Sequence, residues 1–176
     1  MKRLLLSLAL ASAITLTGCS TLVSLNPFVT GEQAVLDPAL PGVWTDPDGK
    51  ETYTIRQDGT GYSIRYVSDS SDVYQFKAHL MVAGDLKLLD LVPANEDPFQ
   101  IVVHTPVRVW LEGNTLQIAF LESDWLKEQA GRQLPTVPAK DRMLITGTGQ
   151  AVGRFLGKLG ADPRASAPPE VLHRVQ

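Results

Sequence analysis

The sequence is poor in residues that make covalent cross-links or bind metals. It contains one cysteine, Cys19, and three histidines in 176 residues. One cysteine excludes a disulfide within the chain, so packing alone must hold the fold. None of the histidines stands in a His-x-His or His-Glu-x-x-His spacing, and we therefore expect no metal site and no cofactor.

Positive charge is scarce as well. The chain has 16 Lys and Arg against 19 Asp and Glu. Without a basic cluster, neither nucleic acid nor an anionic lipid surface is indicated as a partner. The motifs of serine hydrolases and of phosphate-binding loops are missing too, so we expect a non-enzymatic protein with no catalytic residue.

The N terminus has the pattern of an export signal. Lys2 and Arg3 precede an apolar stretch over residues 4–16, which is shorter than the ~20 residues that a membrane-spanning helix needs. A cationic start, a short apolar core and small residues at its end are typical of a secretory signal peptide. We predict this signal over residues 1–18.

The end of the signal carries a more specific motif. Leu16-Thr17-Gly18-Cys19 resembles the lipobox of bacterial lipoproteins. The resemblance implies cleavage between Gly18 and Cys19, and acyl chains such as palmitate on Cys19. Several acyl chains on one residue give stable membrane anchoring. The neutral Ser20 implies the cell outer membrane, with the protein on its periplasmic face, rather than the inner membrane.

The rest of the chain divides into a tether, a domain and a tail. Residues 19–40 have no clear period, and we predict the lipidated cysteine and a tether there. Residues 41–160 contain short alternating runs separated by glycine and aspartate, which is typical of antiparallel strands. Residues 161–176 are rich in proline and are predicted to be a loose tail.

Three β-hairpins can be predicted from the residues that their turns place opposite each other. A turn at residues 59–60 pairs Tyr53 with Tyr66. A turn at residues 84–85 places His79 opposite Asp90. A turn at residues 113–114 pairs only apolar residues, namely Val107 with Phe120, Val109 with Ile118, and Leu111 with Leu116.

The remaining elements complete a mainly β fold. Residues 123–131 predict a short helix, residues 142–146 a last strand and residues 148–159 a C-terminal helix. With residues 42–45 as an opening strand, there are about eight strands in meander order, which predicts a small antiparallel barrel. An open sandwich would show the same alternation and stays an alternative.

The opening strand carries a second resemblance. Gly42-Val43-Trp44 resembles the Gly-x-Trp motif at the start of lipocalin-type barrels. The resemblance implies that the tryptophan plugs the closed end of the barrel and that an arginine from a late segment packs over it. Arg142 is the candidate by position. The chain departs from that family in having a helix before the predicted last strand.

The candidate binding residues are aromatic side chains that the predicted register turns inward. They either fill the barrel or line an apolar pocket at its mouth. Our leading hypothesis is a pocket that binds an apolar small molecule or an envelope protein. The candidates are Trp44, Tyr53, Tyr66, Tyr74, Phe76 and Phe120.

Two alternatives remain. A barrel with a filled core would be a structural or assembly factor that acts through its outer surface, around Trp110 or the helix at Trp125. A hydrolase would use His79 and Asp90 as an acid–base pair, and it would need a third group such as His104.

Overall fold

A computed structural model describes residues 21–94, 101–139 and 142–175 of the protein. The predicted signal, the lipobox and Cys19 lie outside the described residues. Within the described ranges, no helix has both the length and the apolar character needed to cross a bilayer.

The described part of the chain is mainly β. In chain order its elements are β1 (Thr21–Ser24), β2 (Gly42–Thr45), β3 (Thr52–Asp58), β4 (Gly61–Val67), β5 (Val73–Ala83), β6 (Leu86–Pro93), β7 (Thr105–Glu112), β8 (Thr115–Phe120), α1 (Asp124–Gln133), β9 (Thr136–Ala139), β10 (Arg142–Ile145), α2 (Gly149–Leu159) and β11 (Glu170–Arg174).

Eight antiparallel strands close into a barrel, which confirms the predicted architecture. The order is β2 to β8 as a meander, and β11 closes the barrel between β8 and β2. All three hairpin registers are confirmed, including Tyr53 opposite Tyr66 and His79 opposite Asp90. Each hairpin turn carries a glycine with positive φ, at positions 59, 84 and 113, which is the conformation that tight turns require and that glycine adopts without steric cost.

Both predicted helices are present outside the barrel. Ser123 accepts a hydrogen bond from the N–H of Leu126 and begins α1, and Thr148 caps α2 in the same way. Gly149 and Gly153 face the backbone before the barrel. A Cβ at position 149 would collide with the carbonyl oxygen of Pro27, and one at position 153 would lie 2.8 Å from that of Phe28. The small residues therefore let α2 pack directly on that backbone.

Apolar residues form two separate cores. One lies inside the barrel, and the other lies between the outer wall of the barrel, the two helices and a small sheet of β1, β10 and β9. Strand β6 serves both, because Leu89 faces inward while Leu86 and Leu88 face the outer layer. A strand covered on both faces tends to carry apolar residues on both, and β6 does so at Leu86, Leu88 and Leu89.

The predicted last strand belongs to the small sheet, not to the barrel. Strand β10 pairs in parallel with β1 and antiparallel with β9, and the strand that closes the barrel is β11, within the predicted loose tail. The inner face of β11 holds Glu170, Leu172 and Arg174, so only one of its inward residues is apolar. Because polar and apolar residues do not alternate regularly here, the sequence pattern does not predict this strand.

The arginine over Trp44 is Arg174 and not Arg142. The Cζ atom of Arg174 lies 4.1 Å from the ring centroid of Trp44, and Nη1 donates to the carbonyl oxygen of Pro41 at 2.9 Å. A Cβ at Gly42 would collide with the same Nη1 atom, so glycine is needed for the close approach. Arg142 lies opposite Thr21 in β1, because its strand is outside the barrel.

The predicted tether is also wrong over its described part. Residues 21–24 form β1, and the side chains of Phe28, Val29 and Leu40 are buried. Burial of this apolar surface stabilises the segment against the barrel. The segment has no regular spacing of apolar residues because it packs on several surfaces in turn. It first lies in the small sheet and then runs along the barrel wall.

Replacing Leu172 tests whether the tail is part of the core. Leu172 is fully buried, whereas Leu36 is 43% exposed. We expect Leu172→Ala to lower the free energy of unfolding by about 2–5 kcal/mol, because it leaves a cavity in the barrel core. The matched Leu36→Ala should cost less than about 1 kcal/mol. Urea unfolding followed by tryptophan fluorescence measures both, and equal small losses would contradict a structural role for β11.

Candidate functional site

The interior of the barrel contains a cavity of about 350 Å³. Its walls are mainly aliphatic side chains of β3, β4, β6, β7 and β8 that point inward because successive residues of a strand face opposite sides. The principal wall residues are Ile55, Ile64, Leu89, Leu91, Val107 and Ile118.

The cavity opens at one end of the barrel. Along β8, Leu116 is 1% exposed and Phe120 is 41% exposed, and both line the cavity. Leu172, which pairs with Leu116 in the neighbouring strand, is fully buried. Exposure thus rises toward the end where β3 and β11 begin, and we call this end the mouth. Trp44, under Arg174, fills the interior toward the opposite end.

Three tyrosines form a row across adjacent strands at the mouth. Tyr53, Tyr66 and Tyr74 are direct neighbours in the register of β3, β4 and β5. The ring centroids are 4.6 Å apart for the first pair and 5.8 Å for the second, and both pairs are stacked. Such cross-strand aromatic pairs stabilise a sheet. They also fix the positions of the phenol groups at the rim.

Two carboxyl groups complete the mouth. Tyr53 Oη donates to Glu170 Oε2 at 3.1 Å, and Tyr66 Oη donates to Glu51 Oε1 at 2.9 Å. Burial, and then the nearby charge of Glu51, raise the pKa of Glu170 to about 7. Burial also raises the pKa of Tyr53 above its ordinary value and that of Tyr66 to about 12. Near neutral pH both phenols therefore stay protonated and act as donors.

The candidate aromatics fall into three groups. Four line the cavity: Tyr53, Tyr66, Phe76 and Phe120. Trp44 is fully buried beneath Arg174, and Tyr74 lies at the rim with 47% of its surface exposed. Neither carboxyl group was among the predicted site residues, because Glu51 lies in a turn and Glu170 in the predicted tail. The only signal for them was their polarity next to apolar strands.

His79 and Asp90 lie opposite each other on neighbouring strands, but their side chains contact different residues. The Asp90 carboxylate is 2% exposed and accepts hydrogen bonds from the N–H groups of Phe28 at 3.0 Å and Val29 at 3.3 Å. Its other oxygen lies 2.7 Å from His104 Nδ1. The His79 ring packs instead over Gly61, where a Cβ would lie 2.9 Å from Cδ2. The histidine that contacts Asp90 is therefore His104 and not the predicted His79.

The pair of Asp90 and His104 joins the chain before the barrel to the barrel wall. Ser24 pairs with His104 through two backbone hydrogen bonds of 2.8 Å. The Ser24 hydroxyl is buried and engaged with Asn26, donating to its carbonyl oxygen at 2.7 Å and accepting from its N–H at 3.2 Å. A buried carboxylate that accepts several hydrogen bonds is a strong positional constraint, and we interpret this cluster as structural.

Each of the two outer tryptophans has an arginine over its ring. The guanidinium of Arg108 lies 4.4 Å from the ring centroid of Trp110, and that of Arg164 lies 4.4 Å from the centroid of Trp125. Arg108 Nη1 also donates to the carbonyl oxygens of Gly160 and Ala161. The segment after α2 therefore lies beside Trp110, and the two line a common pocket.

No family model, curated protein or solved structure matches this chain. In the ranges that the structure describes, no group of three or more His, Cys, Asp or Glu side chains is placed to hold a metal ion. The cavity and the residues at its mouth are therefore the features that point to a function.

Replacing Asp90 and His79 separately tests which of the two side chains stabilises the fold. We expect Asp90→Ala to destabilise the protein by about 1–3 kcal/mol for each buried N–H that loses its partner. His79→Ala, on the opposite strand, should cost less than about 1 kcal/mol. Thermal and urea unfolding measure both variants. A larger loss for His79→Ala would contradict the contacts described above.

Proposed function

We propose that the protein is a lipid-anchored, non-enzymatic component of the bacterial cell envelope whose barrel binds an apolar small molecule. The observation that carries the proposal is the cavity, with its aliphatic walls and one open end. Small-molecule sites are typically mostly apolar, with a few polar groups that fix the orientation of the ligand. The carboxyl and phenol groups at the mouth match that description.

The volume of the cavity restricts the ligand. About 350 Å³ is at the lower end of the range of about 300–1,000 Å³ that is usual for ligand pockets. This favours a compound with one alkyl chain or a small ring system over a lipid with two acyl chains.

The sequence supports the anchor. The lipobox ends at Cys19, two residues before β1 begins at Thr21. Because β1 packs into the body of the protein, a lipidated Cys19 would hold the domain close to the membrane, where apolar compounds accumulate. The neutral Ser20 favours the outer membrane and the periplasmic side.

The alternative is a structural factor that acts through its outer surface. An arginine of the same chain lies over the ring of each of its two candidate tryptophans, whereas the cavity has an open end and apolar walls. The contact of Arg174 with Trp44 also supports the resemblance to lipocalin-type barrels, and with it a ligand-binding function. We therefore favour ligand binding.

Filling the cavity tests the ligand function. Ile118 lines the cavity, and Gln117, next to it on β8, faces the outside. We expect Ile118→Trp to abolish uptake of the apolar fluorophore N-phenylnaphthylamine, because the indole occupies the space of the ligand. Gln117→Trp should leave uptake unchanged. Fluorescence titration of residues 20–176, together with native mass spectra before and after organic extraction, provides the measurement.

The result for the wild-type protein decides between ligand binding and the structural alternative. The proposal is supported if the wild-type protein takes up the fluorophore, if decanol displaces it, and if Ile118→Trp abolishes the uptake. Absence of uptake, with no mass removed by extraction, would contradict it and favour the structural alternative.

Replacing Cys19 tests the anchor. In a Gram-negative host grown with radioactive palmitate, we expect label in the wild-type protein and none in Cys19→Ser, which should accumulate as the uncleaved precursor because it lacks the thiol that is acylated. Ser20→Ala, at the next position, should be labelled normally. Equal labelling of the Cys19→Ser variant, or an unlabelled wild-type protein, would rule out the predicted anchor.

A further inference from the structure

The charge of the cavity is confined to its mouth and has one sign. Glu51 and Glu170 are the only charged residues among the described residues that line it. Asp46, which accepts a hydrogen bond from the backbone N–H of Glu51 at 2.8 Å, adds a third acidic group nearby. The neighbouring cation, Lys50, is turned toward Asp48, with 3.4 Å between Nζ and Oδ2.

The two carboxyl groups come from different elements and are held in place. Glu51 precedes β3, and Glu170 begins β11 on the other side of β2. Each accepts one hydrogen bond from a tyrosine of the stacked row. A carboxylate has about four acceptor positions, so each group keeps acceptor capacity. The groups are thus oriented before any ligand arrives, which lowers the entropic cost of binding.

Two such groups in a partly buried site need a positive partner. Like charges at short range in a low dielectric repel each other, and a proton or a cation relieves the repulsion. Burial, and then the charge of Glu51, raise the pKa of Glu170 to about 7, which is the direction expected where a proton relieves this repulsion. An ammonium group, with three N–H donors, can replace that proton and bond both carboxylates.

We propose that the mouth recognises a protonated amine, so that the ligand is a single-chain amphipathic amine with its alkyl part in the cavity and its ammonium between Glu51 and Glu170. This inference rests on the proposed ligand function. An uncharged hydroxyl head group could donate one hydrogen bond but would form no ion pair, and a carboxylate would be repelled.

Three ligands that differ only in the head group test the inference. Decylamine, decanol and decanoate, each below its micellar concentration, are titrated calorimetrically into residues 20–176 at neutral pH. We expect decylamine to bind at least about tenfold more tightly than decanol, because only the ammonium forms an ion pair with the carboxylates and offers three donors, and decanoate to bind most weakly. Equal binding of decylamine and decanol would overturn the inference but leave the proposed function standing. Failure of all three to bind would overturn both.

Two isosteric variants identify the groups that recognise the amine. Glu170→Gln and Glu51→Gln keep the size of the side chain, and each should reduce decylamine binding to near the level of decanol. Decanol binding should be unchanged, which also shows that the variants fold. Glu112→Gln, an exposed carboxyl group at the opposite end of the barrel, is the control and should keep full selectivity. Selectivity that survives both variants at the mouth would overturn the inference.

The pH dependence gives an independent measurement. The titratable groups around Glu170 are Glu51 and Asp46 from the turn before β3, Tyr53 from β3 and Tyr66 from β4, and its neighbour in β8 is the uncharged Ile118. The ammonium competes with the proton of Glu170, so decylamine affinity should rise with pH up to about 7 and then level off. Decanol affinity should be flat. A flat profile for decylamine would overturn the inference.

Discussion

Closure of the barrel by β11 is the constraint on which the other features depend. This five-residue strand pairs with β8 on one side and with β2 on the other. Its three inward residues serve three functions along the barrel axis. Glu170 charges the mouth, Leu172 forms part of the wall, and Arg174 covers Trp44. Without β11, strands β8 and β2 would expose unpaired edges and the cavity would have no wall on that side.

The outer layer holds this barrel in one conformation. Asp90 uses both carboxylate oxygens, one for two backbone N–H groups of the chain before the barrel and one for His104. Helix α2 then packs on the same piece of backbone through Gly149 and Gly153. The polar contact sets the position, and the apolar packing around it supplies most of the stability.

The proposed site combines two environments that oppose each other. The aliphatic walls favour an apolar ligand, and the same low dielectric makes it costly to leave Glu51 and Glu170 both charged. An amphipathic amine satisfies both requirements, since its chain occupies the apolar volume and its positive charge reduces the repulsion between the two carboxylates. The tyrosine row connects the two, because each ring lies against its neighbour while the hydroxyls of Tyr53 and Tyr66 orient the carboxyl groups.

Local patterns in the sequence determined the hairpins, their registers and the two helices. In each case the signal lies within a few residues, such as the glycine turn between two alternating runs or the serine that caps α1. Only the tertiary structure decided that β11 closes the barrel, that His104 is the partner of Asp90, and that two carboxyl groups meet at the mouth. Tyr53 and Glu170 are 117 positions apart, and Phe28 and Asp90 are 62 apart, so no local pattern connects them. Such contacts form only when strands that are remote in sequence are brought together by burial of their apolar faces.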